Sequence, residues 1–263
     1  MAERTHETIE SGTPDPMPYM HPVMKNNYGK WVYHSPPKPG VLYHRAANGD
    51  QVWTVKAGGD LSAYCTPLLV KIPGRTLLVT HLESHIIGVD ASSGKLLWTH
   101  PHPNQWSVHS NTPIYHDGAV FCFSGYGQGG VKLKLSADGS AITPEWVSKQ
   151  MDNRIGGAVL VNGTIYGSGD FSRCWLAVDW KTGEVKYEYK GLANGTVIYA
   201  DGMLYGYTDR GDLFMARADP SEFAIASRTR ITKGSAQHWA HLVIDKGRLL
   251  VRRGNALLAY QIR

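Results

Sequence analysis

The chain has 263 residues, of which 29 are glycine and 14 are proline, and its formal net charge is +5 at neutral pH. Lysines and arginines are scattered rather than gathered in a tract, so composition gives no indication of a nucleic-acid partner. No run of about 18 apolar residues occurs, which predicts no transmembrane segment. The amino terminus lacks the apolar core of a secretory signal, so the sequence as written predicts a cytoplasmic protein.

Three cysteines, Cys65, Cys122 and Cys174, lie far apart and form no C-x-x-C pair. This spacing favours buried free thiols over a disulfide framework or a zinc site. The sequence therefore predicts no metal centre. Many glycines and short apolar runs favour an all-β protein with many turns.

Residues 1–39 are predicted to form an irregular amino-terminal extension, and residues 40–263 a single domain. The domain begins with a predicted hairpin, 40–45 and 51–56, that carries Trp53. Short strands then recur at a regular spacing. Aromatic residues that end a glycine turn and its following strand are 45, 48 and 41 residues apart, and these are Trp53, Trp98, Trp146 and Tyr187.

A second marker keeps the same step. Short apolar segments begin at Thr66, Thr112, Gly157, Thr196 and His241, which are 46, 45, 39 and 45 residues apart. Each unit reads as four strands, for example TPLLVKI, RTLLVTH, SHIIGVD and KLLWTH. Repeats of about 40 to 45 residues with four strands are typical of a β-propeller, so the sequence predicts about five four-stranded blades. A helical solenoid has a similar period, but helical periodicity is missing.

Tight turns separate the first two strands of several units. Asp117-Gly118, Asn162-Gly163 and Asp201-Gly202 are hairpin signals, because glycine accepts a positive φ. A second turn repeats the order aspartate, three residues, glycine, three residues, aromatic. Its members are Asp90, Gly94 and Trp98 in one unit and Asp179, Gly183 and Tyr187 in another. We interpret them as structural: the carboxylate binds turn amides, and the ring covers the seam to the next blade.

The blade motif resembles that of quinoprotein-like β-propellers, which have pyrroloquinoline-quinone-type repeats. The resemblance covers about residues 60–263 and rests on SAYCTPLLV, SNTPIYHDGAVFCFSGYGQGGVKLKLS, DWKTGE, ADGMLYGYTDRGDL and QHWAHLVIDKGRLLVRRGNALLAY. It implies a ring of seven or eight blades and a periplasmic or extracellular location. It also implies a site for pyrroloquinoline quinone and calcium, for which Asp152, Asp170 and Asp209 are candidate carboxylates; the alternative is that they form turns.

The segment from Met20 to Gly58 resembles the leading part of a dissimilatory sulfite reductase beta subunit. It contains none of the cysteine clusters that hold an iron–sulfur centre and sirohaem iron, so that activity is not carried over. A function in association with a sulfite reductase is kept as a third alternative.

The carboxy-terminal unit supplies three strands, at 241–245, 248–252 and 256–262, and lacks a fourth. We expect Val52–Val55 to fill this gap and close a five-bladed ring, since closure removes exposed sheet edges. The alternative is a partial arc of a larger propeller with seven or eight blades.

A binding site is expected where the segments that lead into the innermost strands converge at the mouth of the channel. The candidate ligand-binding residues on these segments are Tyr64, Trp106, His109, Asn111, Arg154, His238 and Trp239. Arg154 either binds an anion or pairs with Asp152 or Asp170. Trp106 and Trp239 either stack on a flat ligand or pack against a neighbouring blade. No catalytic residue is identified.

Two functions remain open from the sequence. The first is a binding scaffold for a protein or small-molecule ligand, favoured because the shared motifs are structural. The alternative is an oxidoreductase that uses pyrroloquinoline quinone and calcium to oxidise an alcohol or a sugar, favoured by the resemblance and by the aromatic mouth.

Overall fold

The computed structural model describes residues 32–34, 41–45 and 51–262. These residues form antiparallel sheets that follow one another along the chain. None of them form a helix long and apolar enough to cross a membrane. The predicted glycine turn at Asn48–Gly49 lies outside the described residues.

Six consecutive sheets contain 22 strands, and four of the sheets have four strands each. Sheet 1 contains β1 (Val32–His34), β2 (Val41–Arg45) and β3 (Gln51–Lys56). Sheet 2 contains β4 (Leu68–Ile72), β5 (Arg75–His81), β6 (His85–Asp90) and β7 (Leu96–Pro101). Sheet 3 contains β8 (Ile114–His116), β9 (Ala119–Ser124), β10 (Gly129–Leu135) and β11 (Ile142–Ser148).

The remaining sheets follow the same order. Sheet 4 contains β12 (Val159–Val161), β13 (Thr164–Ser168), β14 (Trp175–Asp179) and β15 (Val185–Tyr189). Sheet 5 contains β16 (Gly195–Ala200), β17 (Met203–Thr208), β18 (Asp212–Arg217) and β19 (Ile225–Arg230). Sheet 6 contains β20 (Val243–Asp245), β21 (Arg248–Arg253) and β22 (Ala256–Gln261). The all-β architecture of four-stranded blades is confirmed.

The core consists of clusters of buried apolar residues between neighbouring sheets, which we call seams. The second strand of a blade contributes to two seams, since it is buried on both faces. In β9 every residue is buried. Its even-numbered residue Val120 packs in the seam with sheet 2, whereas Phe121 packs in the seam with sheet 4. Strands of this kind read as continuous apolar runs, whereas the outer strand β19 is mostly exposed.

Five such seams join the six sheets in chain order. No cluster of buried apolar residues joins sheet 6 to sheet 1 within the described ranges. The predicted seam aromatics are confirmed. Trp53 Nε1 donates to Ala91 O at 3.0 Å, and Trp98 Nε1 donates to Gly139 O at 3.2 Å, each in the next sheet.

The predicted strand exchange between the two ends of the domain is wrong. Strand β3 pairs with β2 in the predicted hairpin, and β22 pairs only with β21 among the described residues. Local pairing across a short connection costs less chain entropy than pairing across the whole domain. Val32–His34 also forms a strand, although 1–39 was predicted to be irregular.

The antiparallel order gives the molecule two faces. On one, which we call the turn face, lie the hairpin turns that join first to second strands and third to fourth strands. At Asn162–Gly163 and Asp201–Gly202 both residues have positive φ, as predicted for tight hairpins. On the opposite face, the loop face, lie the second-to-third strand connections and the linkers between sheets. All candidate ligand-binding residues belong to the loop face.

Candidate functional site

The linkers on the loop face are held together by buried asparagines. Asn111 Nδ2 donates to Asn153 O at 2.6 Å, and Asn111 Oδ1 accepts from Gly157 N at 3.2 Å. Asn153 makes the equivalent hydrogen bond one sheet further along the chain, where its Nδ2 donates to Gly195 O at 2.6 Å. The predicted ligand residue Asn111 is therefore buried and its amide is already bonded.

The linkers also converge, as the sequence predicted for the channel mouth. Gly156, before β12, has a φ of +105°, and a Cβ there would lie 2.6 Å from Nε2 of His241, before β20. A Cβ on Gly157 would lie 3.5 Å from the backbone of Val197 in β16. The space at Gly156 therefore admits only glycine between the linkers of sheets 4 and 6, whereas at Gly157 the contact with β16 is ordinary and the positive φ of +96° favours glycine.

A cleft of about 630 Å³ opens on the loop face between sheets 4 and 5. Five cationic and three carboxylate side chains line it, and these are Arg154, Arg173, Lys190, Arg210, Arg230, Asp170, Asp209 and Asp212. Its size is that of an ordinary ligand site, and its lining is mainly polar.

Arg154 lies between two carboxylates from different sheets. Its Nε is 3.1 Å from Asp170 Oδ2, and its Nη2 is 3.7 Å from Asp209 Oδ2. Burial raises the pKa of both aspartates, and the Arg154 guanidinium opposes this shift. The pairing with Asp170 was one of the predicted alternatives, whereas Asp209 was missed as a partner of Arg154.

The cleft has unused binding capacity. Arg154 Nε makes no hydrogen bond in spite of its ion pair, and Asp209 Oδ1 has no partner within the described part of the chain. Arg173 and Arg210 form no ion pair there. Arg154 Nε and Asp209 Oδ1 are themselves buried, so the capacity open to a ligand comes from Arg173 and Arg210 as donors and from the lining carboxylates of Asp170, Asp209 and Asp212 as acceptors.

An aromatic strip borders the cleft. It consists of Trp106, Tyr126 and Phe171. The rings of Trp106 and Tyr126 lie 6.3 Å apart between centroids, and a Cβ on Gly127 would lie 3.7 Å from the Phe171 ring. Asp152 Oδ2 fixes this region by accepting from Gly127 N at 3.1 Å and Phe171 N at 2.9 Å. Trp106 and Phe171 are 63% and 64% exposed.

The other predicted site residues divide into two groups. Tyr64 and Trp239 are exposed, so Trp239, like Trp106, is not buried against a neighbouring blade. His109 and His238 are buried, and the Tyr207 hydroxyl is hydrogen-bonded to His238 Nδ1. Burial raises the pKa of Tyr207 to about 12.

Phe171, Arg173 and Arg210 were not predicted as site residues from the sequence. The feature that could have found some of them is their position relative to the strands. Tyr126, Phe171 and Arg210 each lie shortly after the second strand of their sheets, where the connections open onto the loop face. When the repeat units are aligned on their second strands, these three residues fall at nearly the same position of the alignment.

The candidate carboxylates do not fit a calcium-held quinone. Asp152 is bonded to loop amides and to Ser172 Oγ, while Asp170 and Asp209 share Arg154. The described ranges hold no group of three or more His, Cys, Asp or Glu side chains placed to bind a metal ion. Apart from the buried Oδ1 of Asp209, which has no partner in the described ranges, these carboxylates are engaged by the fold or by a guanidinium.

Solved structures share this architecture. BamB from Moraxella catarrhalis superposes with a TM-score of 0.64 at 16% identity, over 88% of this chain and 69% of that one. Quinohemoprotein alcohol dehydrogenase from Comamonas testosteroni gives 0.59 at 15% identity, over 84% and 49%. At these identities the likeness shows the fold alone.

The sequence also matches the beta subunit of the dissimilatory-type sulfite reductase from Archaeoglobus fulgidus, with 39% identity over 80 residues. The match covers 30% of this chain and 18% of that subunit. The chain spans under a fifth of the length of the curated relatives it matches. The predicted partial similarity to this subunit is confirmed.

A family model covers most of the blades. The model for pyrroloquinoline-quinone-like repeats, described as "Outer membrane protein assembly factor BamB", matches residues 29–227 of the 263. The chain therefore belongs to this BamB-type family of β-propellers.

Proposed function

We propose that this protein is a non-catalytic platform that binds a partner protein through the loop face. The observation that carries the proposal is the continuity of the aromatic strip with the cationic cleft, which Phe171 itself lines. Exposed aromatic residues beside arginines are typical of the centres of protein–protein interfaces.

The distribution of exposed apolar side chains supports this surface. Ten large hydrophobic residues are exposed in the described ranges, and five of them lie on loop-face segments, namely Leu61, Tyr64, Trp106, Phe171 and Trp239. The other five each lie within a strand. Apolar side chains gathered on one face mark an interaction surface more than the same number scattered singly.

The chemistry of the cleft favours a polypeptide over a small anion. Arg173 and Arg210 offer donors for carboxylates, and the carboxylates of Asp170, Asp209 and Asp212 on the same lining can accept from a ligand. A peptide segment with acidic side chains supplies both, since its backbone amides donate and its carboxylates accept. The family description, an assembly factor, agrees with a role in binding proteins.

Site-specific photo-crosslinking in cells that make the protein tests the proposal. A crosslinking amino acid at position 106 or 171 should capture one defined protein. The same group at Val147, which is 66% exposed on the outer strand β11, should not. Equal capture from all three positions, or capture from none, would contradict a loop-face interface.

Charge reversal then distinguishes the two parts of the surface. Once the partner is identified, Arg210→Glu should weaken binding about tenfold or more and reduce its salt dependence, since rim charges act mainly on association. Phe171→Ala should weaken binding without changing the salt dependence. Retention of a small molecule through native mass spectrometry, with no captured protein, would favour a ligand-binding scaffold instead.

The quinone dehydrogenase alternative has a direct test. Titration with pyrroloquinoline quinone and calcium, followed by dye reduction with alcohols, should give no saturable binding and no turnover, because the candidate carboxylates are already engaged. Tight quinone binding with alcohol-dependent dye reduction would replace the proposal.

A further inference from the structure

Three buried histidines meet on the loop face between sheets 2 and 3. His81 ends β5, and His102 and His109 lie in the linker from β7 to β8. The ring centroids are 5.0 Å apart for His81 and His109, 5.5 Å for His81 and His102, and 6.0 Å for His102 and His109. None of the three is more than 3% exposed. We call this group the histidine cluster.

The hydrogen bonding suits three neutral rings. His109 Nε2 lies 2.9 Å from Glu83 O, and His102 Nδ1 lies 3.5 Å from Gln128 Nε2. The other four ring nitrogens, both of His81, Nε2 of His102 and Nδ1 of His109, have no partner within the described ranges. A neutral imidazole carries one N–H donor and a protonated imidazole carries two, so a proton on any ring adds one more buried donor, for which the described ranges provide no acceptor.

The groups around the cluster compensate a positive charge only in part: Asp60 and the Glu83 backbone favour a proton on His109, and the Gly129 backbone favours one on His102, but burial outweighs them. The nearest carboxylates are already used: Glu83 accepts from Leu61 N and Ser107 Oγ, and Asp60 accepts from Ser84 N and lies 2.7 Å from His85 Nδ1. Lys149 and His100 add repulsion towards His102. The remaining titratable neighbour is the Cys65 thiol, whose pKa is raised by burial and which therefore stays neutral.

Burial lowers the pKa of His81, and the neighbouring rings of His102 and His109 lower it further. Burial also lowers the pKa of His109, and it lowers that of His102 to about 3. An unfolded histidine has a pKa of about 6.5. Because the folded values lie lower, the cluster destabilises its surroundings as the pH falls below about 6.5, and not above that pH.

We propose that the histidine cluster is an acid-sensitive latch that holds residues 102–110 of the linker against β5 and releases them when one ring gains a proton. The linker starts at the cluster with His102 and returns to it at His109, and it carries Trp106 between these two residues. Release is local, because the seams that flank sheets 2 and 3 are apolar. Segments opened in this way unfold at a lower free energy than the whole domain.

Hydrogen exchange on the intact chain tests the latch. Protection factors, which correct for the pH dependence of intrinsic exchange, are measured at pH 7.5 and pH 5.0. In residues 102–110 they should fall at least tenfold at the lower pH, relative to those of β17 and β18. Unchanged relative protection would overturn the proposal.

Two variants identify the cause. His81→Phe removes a titratable ring without losing a hydrogen bond, because neither nitrogen of His81 has a partner within the described ranges. In this variant the acid-induced fall in the protection factors of residues 102–110 should be at least threefold smaller. His116→Gln, at an exposed histidine of β8, should leave the fall unchanged. An equal fall in wild type and His81→Phe would contradict the latch.

If His81→Phe does not fold, histidine NMR on the unaltered chain decides. The three cluster resonances should keep their neutral shifts until exchange in 102–110 rises, and they should then change together. Three independent titrations near pH 6.5 without increased exchange would overturn the proposal.

Discussion

The indole of Trp146 lies directly over Gly183 of the next sheet. A Cβ on this glycine would lie 2.6 Å from the ring, and the glycine itself has a φ of +76°. Gly94 stands in the same relationship to Trp53, with a Cβ-to-ring distance of 2.7 Å. The glycine of the repeated motif therefore serves both the turn and the seam, which explains why it recurs.

We expect Gly183→Ala to lower the free energy of unfolding by about 2–5 kcal/mol. The left-handed backbone costs about 1–2 kcal/mol with a Cβ, and displacement of the Trp146 ring adds about 1–3 kcal/mol. Gly202→Ala is the matched control, since Gly202 has a φ of +80° with no atom within 4 Å of its added Cβ. Urea unfolding of both variants gives the difference; equal losses would mean that the seam contact contributes nothing.

The carboxylate of Asp179 organises the same turn, because its Oδ1 accepts from Lys181 N and Thr182 N, both at 2.9 Å. We expect Asp179→Ala to lower stability by about 1 kcal/mol. Asp179→Asn keeps an acceptor and should lose less.

Acid should reveal the role of this charge. The hydrogen bond from Thr182 N is the main cause that lowers the pKa of Asp179. A carboxyl with a lowered folded pKa stabilises the fold above its unfolded pKa of about 4 and loses this contribution as the pH falls through the folded value. Wild type should therefore lose its advantage over Asp179→Asn below about pH 4. A constant difference between pH 7 and pH 2.5 would rule this out.

Asn153 connects sheets 4 and 5 from a fully buried position. Its Oδ1 accepts from Ile155 N and Gly156 N, and its Nδ2 donates to Ser168 Oγ and Gly195 O. We expect Asn153→Ala to cost about 2–4 kcal/mol, because several buried groups lose their partners. Asn153→Asp should be at least as harmful, since a carboxylate would face Gly195 O. Thermal unfolding measures both; a mild Asn153→Asp would mean that only the acceptor matters.

Arg154→Met should make the stability of the protein depend on pH in the opposite sense to Asp179. Without the guanidinium, burial acts unopposed on Asp170 and is opposed at Asp209 only by Arg210, so the pKa of each should rise further. A carboxyl with a raised folded pKa destabilises the fold when ionised, so the variant should be weakest near neutral pH and recover towards pH 4. Carbon NMR of the two carboxyls, beside unfolding at each pH, checks this; unchanged carboxyl titrations would separate Arg154 from both aspartates.

The repeat made much of the fold predictable. Asp90, Gly94 and Trp98 act within one turn and one seam, and such local relationships recur in each unit with a regular spacing. The ion pair of Arg154 with Asp170 was also among the predicted alternatives, because the two residues lie close together in the sequence. The second partner of Arg154, Asp209, lies a whole blade further along the chain, so no local pattern joins the two.

Other features depend on tertiary placement that spacing does not encode. The hairpin of β3 with β2 was predicted correctly, but its second pairing, with sheet 6, was wrong because the missing fourth strand of that sheet suggested a distant partner. His109 was predicted to contact ligand, but it is buried with His81 and His102. Whether a polar side chain on a linker points outward or inward is decided by its neighbours in other segments.

The turn face and the loop face differ in the residues that they carry. The aspartates, glycines and tryptophans that shape each blade lie towards one rim, and the exposed aromatics and free cations lie at the other. On the binding function proposed above, exchange of the linker segments on the loop face would change what the protein binds, while the turn face would keep the architecture of the blades.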